Sequence, residues 1–342
     1  MSLHTCDRLP PRLNTSARYL SPLRYPGGKA RMAGYLAEMF INQPSVMDVE
    51  VFIEPFAGGA GVGLALVDSG VVDELWLMDL NPSLAAFWRT VLRDGDAFAD
   101  RVETSEASMV RWDTSRELVA AAEAGEVVDD WDLAFAGFFI NRCSRSGICS
   151  PTAGPMGGRH QSGRWTIGSR YNLAALADRI RHVAAMSSRI TFHEFDGIDY
   201  VAGLDGSVGF EDEVMILADP PYLREGPRLY ARSFDLAEHR RLAAALTGSP
   251  TRWVLTYDDE PRVHEELYPQ HRVLQFSIAN SANRRRIAHE YAVFSGLTGV
   301  DRTAIPLPDG TAEWIRWDDE DATPDIEVPR LLLRNDLGSA KR

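Results

Sequence analysis

The segment from residue 51 to residue 79 constrains the fold of this chain more than any other part of its sequence. It contains, in order, an apolar run, a glycine-rich turn, a helical pattern, a second apolar run and an acidic residue. The corresponding positions are residues 51–53, 57–61, 62–69, 74–78 and Asp79. This order is typical of the first unit of a Rossmann-like sheet. The sequence therefore predicts an α/β fold.

The glycine turn and Asp79 also indicate what kind of ligand the sheet binds. The glycines permit positive φ and let a ligand approach the backbone, but their spacing fits neither the dinucleotide-binding pattern nor the P-loop. Asp79 follows Glu54 by 25 positions, where a carboxylate can accept hydrogen bonds from both hydroxyls of a ribose. A nucleoside without a pyrophosphate is therefore favoured. The alternative is that Gly58, Gly59 and Gly61 form a tight turn without a ligand.

A second motif, Asp219-Pro220-Pro221-Tyr222, directly follows the apolar run 214–218. Because proline fixes φ and has no N–H, the motif predicts a rigid turn that presents a carboxylate, a free carbonyl and an aromatic ring. Such a turn suits a planar ligand with an exocyclic amino group. The amino hydrogens would bind Asp219 and the Pro220 carbonyl, and the ring would stack on Tyr222. The alternative is a turn that only ends the strand, since aspartate and proline are common turn residues.

Length and composition limit the class of protein. A chain of 342 residues can form one large domain with an insertion, or two domains. Its apolar and charged content is that of a soluble globular protein, and no apolar run approaches the roughly 18 residues of a membrane span. Residues 1–21 lack the apolar core of a signal peptide. Cys6, Cys143 and Cys149 are too few for a disulfide framework or a zinc site, so we expect a cytoplasmic protein without a metal.

Charge is distributed unevenly along the chain, whose formal net charge is −13. Residues 94–132 hold twelve acidic residues and three arginines, whereas residues 141–189 hold eight arginines and one aspartate. We refer to residues 141–189 as the basic block. A local basic surface within an acidic protein is typical of polyanion binding, and the loop glycines and Trp165 of the block favour DNA or RNA. The alternative is a solvated face of loops and helices.

Ordered motifs along the chain resemble those of the Dam-like, alpha-group DNA adenine methyltransferases. The four main motifs are Pro22-Leu23-Arg24-Tyr25-Pro26-Gly27-Gly28-Lys29, Glu54-Pro55-Phe56-Ala57-Gly58-Gly59, Asp79-Leu80-Asn81 and Asp219-Pro220-Pro221-Tyr222. Further matches are Asn141-Arg142 before Ser146-Gly147, Glu194-Phe195-Asp196, and residues 255–259. The resemblance extends from residue 20 to residue 297. Its specificity comes from the order of the motifs and from the long insertion that precedes Asp219.

The resemblance implies that S-adenosylmethionine is the cofactor. Lys29 would pair with the cofactor carboxylate, Asp79 would hold the ribose, and Asp196 would contact the adenine. The positions that match the family's cofactor site are Tyr25, Lys29, Glu54, Phe56, Gly58, Asp79, Asp196 and Asp219. Tyr25 stands where the family most often has tryptophan, which keeps an aromatic face for stacking.

The resemblance also implies a reaction, the methylation of the exocyclic amino group of an adenine in duplex DNA. Asp219, Pro220, Pro221 and Tyr222 would be catalytic and would act on a base that has flipped out of the duplex. Two alternatives stay open. One is methyl transfer to another amino acceptor, such as cytosine or RNA, and the other is an inactive or regulatory DNA-binding protein on a methyltransferase scaffold. We expect a bacterial or phage-encoded monomer that binds double-stranded DNA, with a cognate restriction endonuclease if it belongs to a restriction-modification pair.

The resemblance divides the chain into four parts. Residues 21–95 and 180–300 would form the catalytic domain, and residues 96–179 would form an inserted, mainly helical target-recognition domain. Residues 1–20 would be an N-terminal tail. Residues 301–342 would be a loosely packed extension, docked on the body by Trp314, Ile315 and Trp317.

The basic block supplies the expected DNA contacts. They are Asn141, Arg142, Arg145, Arg159, Arg164 and Arg170. Arg145-Ser146 replaces the Phe-Asn that the family often has before the glycine. Arginine at this position can recognise guanine in the major groove or bind a phosphate, so the target sequence is not predicted.

Overall fold

The computed structural model describes most of the chain. The described residues are 20–25, 28–41, 51–145, 147, 153–204, 213–224, 233–280, 286–307 and 310–317. Several predicted features lie outside them, namely residues 1–19 of the N-terminal tail, Pro26 and Gly27 of the first motif, Ser146, Cys149, and the extension from residue 318 onward. No helix within the described residues is long and apolar enough to cross a membrane.

Within these ranges, eight strands form one mixed sheet. They are β1 (Val51–Glu54), β2 (Glu74–Met78), β3 (Ile190–His193), β4 (Val214–Ala218), β5 (Arg252–Asp258), β6 (Arg272–Asn280), β7 (Arg286–Phe294) and β8 (Ala312–Arg316). Their order across the sheet is β3-β2-β1-β4-β5-β7-β6-β8. β1 to β5 are parallel, and β7 runs antiparallel to both β5 and β6. The predicted α/β, Rossmann-like sheet is confirmed.

Helices connect the strands and cover the sheet. The α-helices of the described residues are α1 (Ala33–Ile41), α2 (Gly61–Asp68), α3 (Pro82–Glu103), α4 (Met109–Glu123), α5 (Asp130–Cys143), α6 (Leu173–Ala185), α7 (Gly197–Ala202) and α8 (Leu236–Gly248). Short 3₁₀ helices span Lys29–Met32, Ile167–Arg170 and Ser187–Arg189, and a π-helical turn spans Val263–Leu267.

The central strands are buried on both faces of the sheet. Successive side chains of a strand point to opposite faces, and here each face has its own apolar core. Phe52 of β1 and Met215 of β4 belong to one core, whereas Ile53 and Ile216 belong to the other. A parallel sheet covered on both faces needs such continuous apolar runs, which explains why the strand positions were visible in the sequence.

Helices α3 to α6 lie between β2 and β3 in the sequence and pack together through aromatic side chains. Phe87 of α3 stacks on Phe138 of α5 with ring centroids 5.7 Å apart, and Phe98 contacts the same ring edge-to-face at 6.0 Å. α3 is kinked at Asp94, whose φ of −136° is not helical. The predicted helical character of this acidic region is confirmed.

The chain after residue 301 differs in part from the prediction. β8 pairs with β6 at the edge of the sheet, and the Trp314 ring lies 5.6 Å from that of Phe294. Trp317 contacts Trp314 in turn, with ring centroids 4.5 Å apart, whereas Ile315 is exposed. The predicted docking by Trp314 is thus seen, whereas loose packing is wrong for residues 312–316, because these residues pair with β6 as a strand of the sheet.

We expect Gly95→Ala to lower the free energy of unfolding by about 1–3 kcal/mol relative to Gly248→Ala. A Cβ at Gly95 would lie 2.4 Å from the Cβ of Ala184, so α3 and α6 would have to separate. Gly248 is the matched control because it is also a helical glycine and a Cβ there would meet no atom within 4 Å. Urea unfolding measures the difference, and equal stability of the two variants would contradict this close helix contact.

Candidate active site

A pocket opens at the carboxyl edge of the parallel strands. In the strand order β3-β2-β1-β4-β5, the chain reverses its direction of strand addition between β1 and β4. Ligands of open α/β sheets bind at such a switch point. The structure brings together six predicted site residues in the pocket wall, namely Tyr25, Phe56, Asp79, Asp196, Asp219 and Pro221.

The glycine turn after β1 holds Asp79 in the pocket wall. The Gly58 N–H donates to Oδ2 of Asp79 at 3.0 Å, and the Asn81 N–H donates to Oδ1 at 2.9 Å. Gly58 has a φ of +47°, and a Cβ there would lie 3.0 Å from the Tyr25 ring. Burial raises the pKa of Asp79, while the backbone N–H groups of Asn81 and Gly58 act in the opposite direction. The Leu80 N–H is a third backbone partner of this carboxylate, so the backbone fixes the position of both oxygens.

Asn81 explains why α3 begins directly behind this carboxylate. Its Oδ1 accepts hydrogen bonds from the N–H groups of Ser83 and Leu84, at 3.0 and 3.1 Å. Pro82 occupies the first helical position, where a missing N–H has no consequence. The local sequence therefore ends β2, places Asp79 at the edge of the sheet and starts a helix within four residues.

Glu54 is the last residue of β1 and does not belong to the pocket wall. It is buried, and its Oε1 accepts a hydrogen bond of 2.6 Å from the Gly63 N–H. Burial raises the pKa of Glu54 to about 8, with the nearby charge of Asp219 adding to the effect and the Gly63 hydrogen bond opposing it. Its predicted contact with the cofactor stays a prediction.

Asp219 follows β4 directly and lies between the pocket and two buried partners. The Lys29 ammonium lies 3.0 Å from its Oδ1 and donates to its Oδ2 at 3.2 Å, and the Thr256 hydroxyl donates to Oδ1 at 2.7 Å. An ionised carboxylate has about four acceptor positions. These partners leave accepting capacity on the pocket side, since the Asp219 side chain is still 20% exposed.

Lys29 is one of two lysines in the chain, and its side chain is buried. Its ammonium lies 3.2 Å from Oε2 of Glu290 on β7, in addition to Asp219, and donates to the Tyr222 hydroxyl. Desolvation acts to lower the pKa of Lys29, but the charges of Asp219 and Glu290 outweigh it and the pKa is raised. Pairing with a cofactor carboxylate stays a prediction, for which Lys29 would have to exchange one of these partners.

The ring of Tyr222 lies inside the protein and is only 4% exposed. Its centroid is 5.0 Å from the Lys29 ammonium and 6.3 Å from the ring of Tyr257. Pro220 is also buried, whereas Pro221 reaches the pocket. Stacking of a base on Tyr222 therefore stays a prediction, and it requires the ring to become exposed.

The pocket also contains side chains to which the sequence assigned no role. These are Pro55, Leu80, Asn81, Phe195 and Phe234. Leu80 and Phe195 present exposed apolar surface at the pocket, and the Phe234 ring packs edge-to-face on Phe56 at 5.6 Å. Four of the five lie within or beside the predicted motifs and could have been inferred from that proximity. Phe234 is separate from every motif and carried no signal.

Asp196 belongs to the pocket wall and lies at the start of α7. Its Oδ1 accepts hydrogen bonds from the N–H groups of Ile198 and Asp199, at 2.8 and 3.2 Å. α7 approaches the Glu54-Pro55-Phe56 segment so closely that a Cβ at Gly197 would lie 2.1 Å from the Pro55 carbonyl oxygen. This contact fixes the position of Asp196 relative to the end of β1.

Two of the predicted DNA contacts, Asn141 and Arg142, lie inside the protein. Asn141 is fully buried, and its Oδ1 accepts a hydrogen bond of 2.7 Å from the Arg24 N–H. Its Nδ2 donates to the Arg24 carbonyl at 2.6 Å and to the Gly147 carbonyl. Arg142 donates to the carbonyl of Arg170 at 2.9 Å, and burial lowers its pKa to about 9, with Arg24 and Arg179 adding to the effect. As a correction, neither side chain offers a surface to DNA, because both satisfy backbone carbonyls in a buried position.

The other four predicted DNA contacts are exposed on the loop between α5 and α6. They are Arg145, Arg159, Arg164 and Arg170. At the start of the loop the chain folds back on the end of α5, where the Met156 N–H donates to the Cys143 carbonyl at 2.8 Å. Arg159 is paired with Asp113, and Arg164 lies 5.2 Å from the exposed ring of Trp165. The loop thus presents cations beside an accessible aromatic ring.

Comparison with known proteins identifies one family. Residues 25–142 match the family model of the D12 class N6 adenine-specific DNA methyltransferases. The matched range includes the first motif from Tyr25 onward, the second and third motifs, helices α3 and α4, and α5 up to Arg142. No curated protein matches the chain. The chain is therefore similar, over residues 25–142, to the D12 class of N6 adenine-specific DNA methyltransferases, which confirms the predicted resemblance and the class of enzyme that it implies.

Proposed function

We propose that the chain transfers a methyl group from S-adenosylmethionine to the exocyclic amino nitrogen of an adenine in double-stranded DNA. The observation that carries the proposal is the position of Asp219. It lies at the carboxyl end of β4, beside the pocket, with its carboxylate held from behind by Lys29 and Thr256. A fixed acceptor at the switch point of the sheet is what an amino group needs as its partner.

The side chains of the pocket suit S-adenosylmethionine. Asp79 would accept hydrogen bonds from the ribose hydroxyls, with its carboxylate held in place by the N–H groups of Gly58, Leu80 and Asn81. Asp196 would accept a hydrogen bond from the adenine. Tyr25 and Phe56 offer aromatic faces, which attract a sulfonium cation. When bound, this cofactor supplies an electrophilic methyl group on a positively charged sulfur.

Asp219 and the carbonyl of Pro220 would bind the two hydrogens of the adenine amino group. The lone pair of this nitrogen is delocalised into the ring, so the free amino group is a poor nucleophile. Two hydrogen bonds favour the pyramidal nitrogen, and they strengthen as positive charge develops on it. Interactions that are stronger in the transition state than in the ground state raise the rate.

The target base would have to leave the duplex to reach Asp219. Flipping requires a few kcal/mol. Stacking on an aromatic ring contributes about 1–3 kcal/mol per base, and Tyr222 would supply this stacking if its ring became exposed. Asp219, Lys29 and Thr256 are already in contact without the base, so the acceptor is organised before the substrate arrives.

We propose further that residues 96–179 form the target-recognition domain and bind DNA through the exposed arginines of the α5–α6 loop. Asn141 supports this role indirectly, because it ties Gly147 at the start of the loop to Arg24, the neighbour of Tyr25 in the pocket. Arg145, Arg164 and Arg170 have no ion pair among the described residues. Their charges are therefore accessible to phosphate groups.

We expect Asp219→Asn to reduce adenine methylation by about 100- to 1000-fold, because the amide cannot replace a carboxylate as acceptor for the developing charge. Glu290 remains beside Lys29 in this variant, so the ammonium keeps a negatively charged partner and the fold is expected to persist. The measurement is expression in a host without adenine methylation, followed by mass spectrometry of the nucleosides from its DNA. Asp73→Ala, at an exposed aspartate outside the pocket, is the matched control.

Each outcome of this experiment has a distinct meaning. Methylated adenine from the unaltered chain and its loss in Asp219→Asn support the proposal. An Asp219→Asn variant as active as the unaltered chain would remove Asp219 from the mechanism. Methylated cytosine in place of methylated adenine would change the acceptor. A folded chain that does not bind S-adenosylmethionine would favour an inactive DNA-binding scaffold.

We expect joint replacement of Arg145, Arg164 and Arg170 by alanine to weaken DNA binding and to reduce its salt dependence. Each lost phosphate contact lowers the slope of log K against log salt by about 0.9. Fluorescence anisotropy with a labelled duplex at several salt concentrations measures both quantities. Arg159→Ala should have a smaller effect, because Asp113 already neutralises this side chain.

The control is a triple alanine variant at Arg93, Arg240 and Arg241, which are exposed arginines outside the α5–α6 loop, each paired with a carboxylate as Arg159 is. It removes the same formal charge from the protein. Equal loss of affinity and of slope in both triple variants would show that net charge, and not the loop, governs binding.

A further inference from the structure

Glu290 completes a buried cluster of charged and polar side chains behind Asp219. The Lys29 ammonium lies 3.0 Å from Asp219 and 3.2 Å from Glu290, so one cation is shared by two carboxylates. The Tyr222 hydroxyl accepts a hydrogen bond from the Lys29 ammonium and donates one to the Glu290 carboxylate. Lys29, Glu290 and Tyr222 are almost completely excluded from solvent, whereas Asp219 is partly exposed at the pocket.

Other charged groups also face Glu290. Asp258 lies directly opposite it on the neighbouring strand β5, and side chains of such a cross-strand pair project from the same face of the sheet. Asp258 is buried, and its Oδ2 accepts a hydrogen bond of 2.9 Å from the Arg224 N–H. The groups around Glu290 are therefore one ammonium, one phenol and two further carboxylates. Neutralising Glu290 would therefore change which carboxylate the Lys29 ammonium approaches.

We propose that Glu290 is a positioning residue for methyl transfer, which shares the Lys29 ammonium with Asp219 and thereby keeps an accepting lone pair of Asp219 available to the amino group of the target base. This inference rests on the proposed function. Glu290 does not belong to the pocket wall, so its effect is transmitted through Lys29.

The physical argument concerns how completely Lys29 neutralises Asp219. A lysine with a single carboxylate partner has three N–H donors for that partner and for neighbouring hydroxyls. It then occupies more of the acceptor capacity of Asp219 and lowers its affinity for another donor. Glu290, as a second carboxylate 3.2 Å from the ammonium, competes with Asp219 for the cation and its N–H donors. The aspartate thus keeps a stable counter-ion without losing its ability to accept a hydrogen bond from the substrate.

The protonation of Glu290 should make this arrangement depend on pH. Burial raises the pKa of Glu290 to about 7, and the negative charge of Asp219 adds to the effect, while Lys29 and the hydrogen bond from Tyr222 oppose it. Below this pH Glu290 is neutral and Lys29 is paired with Asp219 alone. Above it Glu290 is charged and shares the ammonium. The rate of methyl transfer is therefore expected to rise with pH through about 7.

The first experiment compares Glu290→Gln with the unaltered chain in single-turnover methylation of a DNA duplex. We expect the variant to lose about tenfold or more in rate above pH 7 while the Kd values for DNA and for the cofactor analogue sinefungin change little. The rise in rate with pH should disappear as well. Glu313→Gln, at an exposed glutamate of β8, is the matched control and should keep both the rate and the pH profile.

The second experiment observes Lys29 directly and does not require activity. The chain contains two lysines, Lys29 and Lys341. Lysine-selective ¹³C labelling therefore gives two side-chain NMR signals, which Lys29→Arg assigns. In Glu290→Gln the Lys29 signal should shift and its pKa should fall, because one of the two carboxylates that raise it is lost. The Lys341 signal serves as an internal reference.

The outcomes separate this inference from the proposed function. If the unaltered chain methylates no DNA, the proposed function fails, and the NMR result still decides whether Glu290 holds Lys29. If the unaltered chain is active and Glu290→Gln matches it in rate and pH profile, the positioning role is excluded. A parallel loss of rate, binding and stability in Glu290→Gln would also exclude it, in favour of a purely structural role. If Glu290→Gln does not fold, Glu290→Asp withdraws the carboxylate from Lys29 by one methylene, and a rate and a pH profile unchanged in that variant would count against positioning.

Discussion

The pairing of β1 with β2 on one side and with β4 on the other is the constraint on which the candidate site depends. Because all three strands are parallel, the residues that follow them meet at one edge of the sheet. Glu54 and the glycine turn, Asp79, and Asp219 are brought together in this way from segments that are far apart in the sequence. A shift of β1 by one residue would exchange its two buried faces and displace Glu54 and the glycine turn relative to Asp79 and Asp219.

This convergence concentrates negative charge in a poorly solvated region, and Lys29 compensates for it. An isolated buried carboxylate is strongly disfavoured unless it is paired or hydrogen-bonded. Asp79 and Glu54 are stabilised by backbone N–H groups, whereas Asp219 and Glu290 share an ammonium. The chain otherwise uses arginine almost exclusively, with 34 arginines and two lysines. A compact ammonium fits between two carboxylates, where a planar guanidinium would need more space.

The sequence predicted those features that local signals encode. Neighbouring residues are enough to predict the buried strands and the glycine turn at Gly58. They also predict the acidic residues Asp79 and Asp219, which directly follow β2 and β4. The structure contains all of these features. Glu290 and the burial of Asn141 were not predictable in this way. Each owes its role to contacts with segments over a hundred residues away, and a glutamate in β7 or an asparagine in α5 carries no local sign of such contacts.

The insertion of α3 to α6 between two adjacent strands has a consequence for the order of events in folding. β2 and β3 are neighbours in the sheet, yet the four helices separate them along the chain, and the contact between Lys29 and Asp219 joins residues 190 positions apart. Contacts of this separation form late, because long segments must be ordered before they are made. During synthesis the helical insertion can pack before β4 exists. The site cannot begin to form until Asp219 has emerged from the ribosome. The Lys29 ammonium gains its second carboxylate, Glu290, only when β7 has been synthesised.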